Sequence, residues 1–278
     1  MSYVPIDSEL IKKALEEDLA GGEDITSVAT VSGSEKVIAD FVARKAGVVA
    51  GVLMAKAVLE EVGLKNIEVL VEDGTEVKAG TTLMSVRGDT RAILLAERTA
   101  LNFYSHLSGV ATLTSIWVKE IAGTGCKVRD TRKTTPGYRE LEKYAVRVGG
   151  GTNHRMSLSD AALIKDNHIA AAGGVKEAFK KVRAKYPTAE IEIEVDTLQQ
   201  LKEVLSENPD LVLLDNMSPA QCREAVALVE GKVKLEASGG ISLSNARAYA
   251  ESGVDFLAIG ALTHSAPVFD IGLDLRAE

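Results

Sequence analysis

The chain has 278 residues, 46% of them hydrophobic, with a formal net charge of −8. That content of apolar residues is ample for a core and excludes a disordered chain, while the acidic balance argues against a nonspecific nucleic-acid groove or an anionic membrane surface as partner. Only 4% of residues are aromatic and 24 are glycine, which suits an α/β protein with many tight strand-to-helix turns better than a β-sandwich.

From the N-terminus, "SELIKKALEEDL" places Leu10, Ile11, Ala14, Leu15 and Leu19 at helical spacing, with Asp7 or Ser8 available as a cap. The stretch before it has no basic start followed by an apolar core, and no uninterrupted apolar run of ~18 residues occurs anywhere. The expectation is a cytoplasmic protein with no membrane segment. "KVIADFVARKAGVVAG" and "IEVLVEDGTEVKAGTTLMSVRGD" then alternate Val, Ile and Thr with "DG", "AG" and "RGD" turns, which predicts short strands. Residues 92–122 read as one or two helices.

Beyond residue 125 the pattern becomes a strict alternation. Strand-like "CKVRDT", "ALIKDNHI", "EIEIEVD", "LVLLDN", "KLEASGGI" and "FLAIGAL" are separated by helical runs at 137–149, 174–185, 197–206, 218–230 and 243–252. Such βα alternation implies a parallel sheet, closed into a barrel or doubly wound. Intervals of 29, 21, 23 and 22 residues separate Lys165, Glu194, Asp215, Ser238 and Gly260, close to one βα unit each, and favour a barrel. Six visible strands are too few for a regular eight-stranded barrel, so an incomplete one is expected. Cys126 and Cys222 lie far apart with no CxxC spacing, so neither a disulfide framework nor a zinc site is signalled.

In barrels the chemistry sits at the C-terminal ends of the strands. Those ends carry Arg132 and Lys133, Lys165, Glu194, Asp215 with Asn216, Ser238 with Gly239 and Gly240, and Gly260. Each has a plain structural reading: Lys165 as a surface charge, Glu194 as a helix N-terminal acid, Asp215 as an N-cap. Six polar or glycine ends together point instead to a site. Residues 127–168 also contain nine Lys or Arg against five acids, a basic segment in an acidic chain that fits a pocket for a small polyanion. "EASGGIS" and "AIGALTHSAP" offer backbone N–H groups where barrels commonly bind phosphate. Glu194 and Asp215 are hard oxygen donors suited to Mg²⁺ shared with ligand phosphates. Arg132, His154, Arg155 and Lys165 are suited to a ligand bearing carboxylates, because a guanidinium matches a carboxylate bidentately.

Taken in order, "ERTALN", "DTRKTTPG", "GGGTNHR", "IKDNHI", "EIEVD", "LLDN", "EASGGI" and "IGALTHSAP" resemble the quinolinate phosphoribosyltransferase family over nearly the whole chain. The resemblance implies an α/β fold with an N-terminal α/β sandwich-like domain at 1–108, joined by the tail 268–278, beside an incomplete TIM-like α/β barrel of about six to seven parallel strands at 109–267. It implies a reaction of quinolinate with 5-phosphoribosyl 1-pyrophosphate that yields nicotinate mononucleotide, pyrophosphate and CO2 with Mg²⁺. It further implies a homodimer, or a larger assembly of dimers, in which Arg98 reaches quinolinate across the interface. Carried over by position, Arg132, His154, Arg155 and Lys165 match the quinolinate ligands, and Lys133, Glu194, Asp215, Asn216, Ser238, Gly239, Gly240, Gly260 and His264 match the residues around the phosphoribosyl pyrophosphate and Mg²⁺. Lys133, Glu194 and Asp215 are the expected catalytic set. A same-fold relative, such as a molybdenum-transport-associated or nicotinate phosphoribosyltransferase, is the alternative, and a sugar-phosphate aldolase using Lys165 as a Schiff base is a more distant one.

Overall fold

The computed structural model describes residues 5–276, and the chain divides into two compact units, residues 1–115 with 140–150 and 265–278, and residues 116–139 with 151–264. The first unit begins with α1 (Ser8–Leu19), whose N-terminus is capped by the Asp7 side chain and which buries Ile11 and Leu15, and α2 (Ile25–Thr30), capped by Asp24. It continues through β1 (Lys36–Ala43), β2 (Gly47–Val48), α3 (Val52–Glu61), β3 (Asn66–Val69), β4 (Glu76–Val77) and β5 (Thr82–Asp89). The final strand, β12 (Ile271–Arg276), returns to this unit. Its antiparallel sheet runs β12, β1, β5, β3, with β2 and β4 forming a separate pair. Arg276 donates to Asp40 at 2.8 Å and Arg44 forms a bidentate pair with Asp274, so the edge strand is fastened by side chains as well as its ladder.

One continuous helix, α4 (Thr90–Glu120), follows and passes from the first unit into the second. The boundary expected at 108/109 falls inside it, where Phe103, Tyr104, Leu107, Val110 and Ala111 are all buried and no turn residues interrupt the apolar face. Residues 140–150, expected in the barrel, cluster with the first unit. The reason is polar as well as apolar: the Tyr144 hydroxyl donates to Asp73 at 2.6 Å, and buried Glu142 lies 2.9 Å from His106.

In the second unit, six short strands form one parallel sheet. They are β6 (Lys127–Arg129), β7 (Ala162–Ile164), β8 (Ile191–Val195), β9 (Leu211–Asp215), β10 (Lys234–Ser238) and β11 (Phe256–Ala258), hydrogen-bonded in the order β6, β11, β10, β9, β8, β7. Between and after these strands in the chain come α5 (Arg139–Val148), which belongs to the first unit from residue 140 on, then α6 (Asp166–Ala172), α7 (Val175–Lys185), α8 (Leu198–Leu205), α9 (Pro219–Val229), α10 (Leu243–Ala250) and the short α11 (Ala261–His264). A parallel bridge from Arg129 to Thr152 adds a seventh rung beyond β6, and the ring remains open between that rung and β7. This is an incomplete TIM-like barrel. Strand "ALIKDNHI" is shorter than the sequence pattern suggests, since the helix α6 begins at Asp166.

Strand period two decides what each barrel residue faces. On β8, Ile191, Ile193 and Val195 are buried on one side, while Glu192 and Glu194 alternate to the other. The helix starts are closed by hydroxyl residues: Thr197 caps α8 and Ser218 caps α9, each with a glutamine completing a capping box. Glu194 and Asp215 are therefore relieved of capping and stand at strand ends as side chains for other work.

Candidate active site

The C-terminal ends of the parallel strands surround a cleft of about 500 Å³. Thr131, Arg132 and Lys133 enter it from the end of β6, His154 and Arg155 from the rung beside β6, Lys165 from β7, Glu194 from β8, Asp215 from β9 and Ser238 from β10. Eight of the fourteen sequence-expected site residues thus line one cavity.

Two guanidiniums dominate one side. Arg155 donates to the carbonyl of Ala161 at 2.7 Å, and burial together with the charge of Arg132 holds its pKa below the usual arginine range. The Nε of Arg132 is buried without a hydrogen-bond partner among the described residues. A buried donor without an acceptor costs on the order of 1–3 kcal/mol, more when charged, so the arrangement is suited to a ligand that brings acceptors with it.

Opposite them, the Lys165 Nζ stands 3.7 Å from the Glu194 carboxylate. Burial raises the Glu194 pKa; Lys165 opposes the shift and the nearby charge of Asp215 adds to it. Asp215 is raised as well, by burial first and then by Asp196, against the pull of Lys165 and Lys133. Two half-buried carboxylates, one of them raised further by the charge of the other, would be relieved by a cation shared between them. Their hard oxygen chemistry fits Mg²⁺. Asn216 donates its amide to Asp215 at 2.6 Å and has a left-handed backbone, and Gly239 (φ +86°) packs so closely on it that any Cβ would overlap the Asn216 side chain. Gly260 leaves a similar gap, since a Cβ there would stand 3.1 Å from Lys133 Cδ and 3.2 Å from the His264 ring. The Lys133 backbone is held from the same loop, its carbonyl accepting the Thr263 hydroxyl at 2.8 Å.

At the floor of the cleft, where His154 and Glu236 form part of its lining, lies a layer in which Arg129, Glu192 and Glu236 were missed by sequence reasoning. His154 Nε2 is 2.6 Å from a Glu192 oxygen and 3.7 Å from Glu236, and Arg129 donates to Glu236 at 2.9 Å while its guanidinium sits 4.5 Å from the Phe256 ring. Burial, joined in Glu236 by the charge of Glu192, pushes both carboxyls up to about 7. The alternation of "IEIEV" put Glu192 on the same side as Glu194 and was the signal available. His154, Glu192 and Glu236 present ligand-type atoms within 4.8 Å of one another, but the histidine is wired against metal binding. Its Nδ1 accepts the Arg155 N–H at 2.9 Å, which puts the ring proton on Nε2, the atom a metal would need. Both ring nitrogens of His154 thus have protein partners, and the residue also lines the cleft in which the sequence reading set it among the substrate ligands.

Asn216, Gly239, Gly240, Gly260 and His264 stand at the same strand ends but outside the residues lining the cleft. Arg98 is exposed on α4 in the first unit.

An incomplete parallel α/β barrel whose strand ends gather two arginines, two lysines and four acidic residues around one cleft defines an enzyme acting on small, multiply anionic substrates. The match to known proteins is more specific. The N-terminal and C-terminal domain models of quinolinate phosphoribosyl transferase match residues 24–108 and 110–274, and the chain belongs to that family. A nicotinate-nucleotide pyrophosphorylase [carboxylating] of Mycobacterium leprae is 52% identical over 273 residues, 96% of either chain. Among solved structures, the nicotinate-nucleotide pyrophosphorylase of Francisella tularensis superposes with a TM-score of 0.93 at 39% identity, covering 97% of this chain and 95% of that one. The enzyme of the same name from Ehrlichia chaffeensis gives 0.91 at 41% identity, with 99% of both chains covered.

Proposed function

We propose that this chain transfers the phosphoribosyl group of 5-phosphoribosyl 1-pyrophosphate to the ring nitrogen of quinolinate and releases CO2, giving nicotinate mononucleotide and pyrophosphate. Family membership supports the reaction. The observation that carries the substrate is the pair Arg132 and Arg155, close enough for one to depress the other's pKa and set in the same cleft wall. Two forks suit a dicarboxylate; nicotinate, with one carboxylate, would leave a guanidinium unmatched.

Arg132 and Arg155 are assigned to the quinolinate carboxylates with Lys165 beside them, and Lys133 to the phosphoribosyl pyrophosphate. Glu194 and Asp215 would hold Mg²⁺ jointly with the substrate's phosphates, which supplies charge neutralisation for the departing pyrophosphate. The C1′–O bond to pyrophosphate breaks as the pyridine nitrogen forms its bond to C1′. Lys133 then faces the growing negative charge of the leaving group, an electrostatic role that needs no proton transfer. The resulting pyridinium draws in the electron pair left when the adjacent C–CO2 bond breaks, and that carbon takes up one proton. Fixing both substrates at the strand ends accounts for much of the acceleration, since orientation can contribute ~7–11 kcal/mol. His154 lines the same cleft beside Arg155, whose N–H its Nδ1 accepts. A homodimer in which Arg98 serves the partner's cleft completes the reading. Among the described residues no helix is long and apolar enough to cross a membrane.

The test is incubation with quinolinate, phosphoribosyl pyrophosphate and Mg²⁺, with nicotinate in a parallel tube, following nicotinate mononucleotide by chromatography. Product from quinolinate alone is expected. Product from nicotinate alone overturns the reading in favour of a nicotinate phosphoribosyltransferase.

A further inference from the structure

The two arginines of the clamp come from different strands, and something must fix their spacing. Arg132 follows β6, whereas Arg155 sits on an irregular segment that touches β6 at a single bridge, Arg129 to Thr152. Backbone pairing there is brief. Thr152 N–H reaches the Val128 carbonyl at 2.9 Å and Asp130 N–H reaches the Thr152 carbonyl at 3.1 Å, after which the ladder ends. The contact is continued by a side chain. Asp130 is wholly buried, and one carboxylate oxygen accepts the His154 N–H at 2.8 Å while the other accepts the Asn153 side-chain amide. A single carboxylate therefore bridges the residue two before Arg132 and the residue one before Arg155.

We propose that Asp130 is a positioning residue for the dicarboxylate clamp: through His154 N–H and Asn153 it sets the separation of Arg132 and Arg155, and with it the fit to a substrate with two adjacent carboxylates. The inference rests on the functional reading above. On the phosphoribosyl pyrophosphate side only Lys133 shares this strand end, and its backbone is held separately by the Thr263 hydroxyl; the other residues of that side come from β8, β9, β10 and the loop after β11. Charge and position predict opposite signs here. Asp130 is an anion near an anion-binding clamp, so removing its charge would tighten quinolinate binding if electrostatics governed its effect. Loss of the bracket would weaken it, because the two guanidiniums would no longer be held at one spacing.

The experiment is calorimetric titration of the full-length chain with quinolinate and, separately, with phosphoribosyl pyrophosphate and Mg²⁺. Asp130→Ala is expected to weaken quinolinate about 10-fold or more, the scale of losing hydrogen bonds to a charged group, and to leave the other substrate's affinity unchanged. Asp130→Asn keeps one acceptor for His154 N–H and is expected to recover most of the loss. Should Asp130→Ala not fold, Asn153→Ala removes one limb of the same bracket and is read by the same titration, with weakened quinolinate alone as the expected result. Quinolinate binding that is unchanged or tighter in these variants, or equal weakening of both substrates, overturns the proposal. Failure of the wild-type chain to bind quinolinate overturns the functional reading and this inference together.

Discussion

Arg129 donates to one oxygen of Glu236 at 2.9 Å, and the other oxygen of the same buried carboxylate has no hydrogen-bond partner among the described residues. Glu192 shares that condition, with one oxygen on His154 and the other unbonded. Two buried carboxyls with one guanidinium in direct contact hold a proton more tightly than they would in water. Glu236 is pushed up to about 7, from an ordinary value of 4.5, by burial and then by Glu192.

The sign of the pH effect follows. A carboxyl whose pKa is raised on folding binds more protons in the folded state, so its favourable contribution is complete below the unfolded value near 4.5 and is lost as pH rises through about 7. Glu236→Gln keeps an acceptor for Arg129 and offers an amide donor toward the buried layer. Its thermal unfolding midpoint is expected to vary less between pH 5 and pH 8 than that of the wild type, and to be higher at pH 8 by about 2–4 °C, the shift that ~1 kcal/mol gives a protein of this size. Parallel melting curves with equal slopes against pH would remove the raised Glu236 carboxyl as the source of the pH dependence.

Arg132→Ala removes one fork of the clamp and leaves a substrate carboxylate facing a cavity. Quinolinate binding is expected to weaken by roughly 2–5 kcal/mol, the cost of truncating one partner of a buried charged pair. Arg132→Lys should recover only part of it, because an ammonium cannot bond a carboxylate bidentately. Titration with quinolinate decides the matter: unchanged affinity in the alanine variant excludes Arg132 from the clamp.

Removal of divalent cations is expected to separate the two halves of the site. The clamp contains no proposed metal ligand, whereas Glu194 and Asp215, each raised by burial, need a cation to carry their charge in the substrate complex. Chelation should therefore abolish turnover and weaken phosphoribosyl pyrophosphate binding more than quinolinate binding, since the two arginines are not metal ligands while Lys165 stands 3.7 Å from Glu194. Asp215→Asn should reproduce this pattern at saturating Mg²⁺. Full turnover in chelator refutes the metal role.

Much of this site was legible in the sequence because strand ends are marked twice, by the end of an apolar run and by the cap of the next helix. "EIEVDT" and "LLDNMS" reveal Glu194 and Asp215 as the residues before a capping Thr197 and Ser218, and the βα spacing brings both to one rim. The layer below was hidden by the same alternation: Glu192 and Glu236 sit within strands, where a lone glutamate reads as a solvent-facing position. Only the closure of strands into a ring turns that face inward. The family models divide the chain between 108 and 110, where the sequence reading placed its boundary, whereas the compact units divide within α4, an uninterrupted helix that carries no linker signal. The ring nitrogens of His154 could not be assigned from "TNHR", because their partners are its neighbour's N–H and a residue on another strand.

Gly239 offers the sharpest test of the metal-side geometry. Its φ of +86° is costly for any residue with a Cβ, and the space a Cβ would need is filled by the Asn216 amide, with the Asn216 backbone nitrogen 3.0 Å away as well. Asn216 is in turn the residue that donates to Asp215, at 2.6 Å, and its own N–H bonds the Ser238 carbonyl at 2.9 Å. Gly239→Ala must therefore move a side chain that orients a proposed Mg²⁺ ligand and strain two adjacent loops. The expected result is a stability loss of roughly 1–3 kcal/mol, with weaker phosphoribosyl pyrophosphate binding and unaltered quinolinate binding, read by thermal unfolding and by titration of each substrate. Asn216→Ala separates the two causes. It should relieve the side-chain overlap in the double variant and recover part of the stability, the backbone strain at 239 remaining, yet leave Asp215 without its amide donor, so that phosphoribosyl pyrophosphate binding stays weak. Recovery of both stability and binding in the double variant would show that Asn216 plays no part in aiming Asp215.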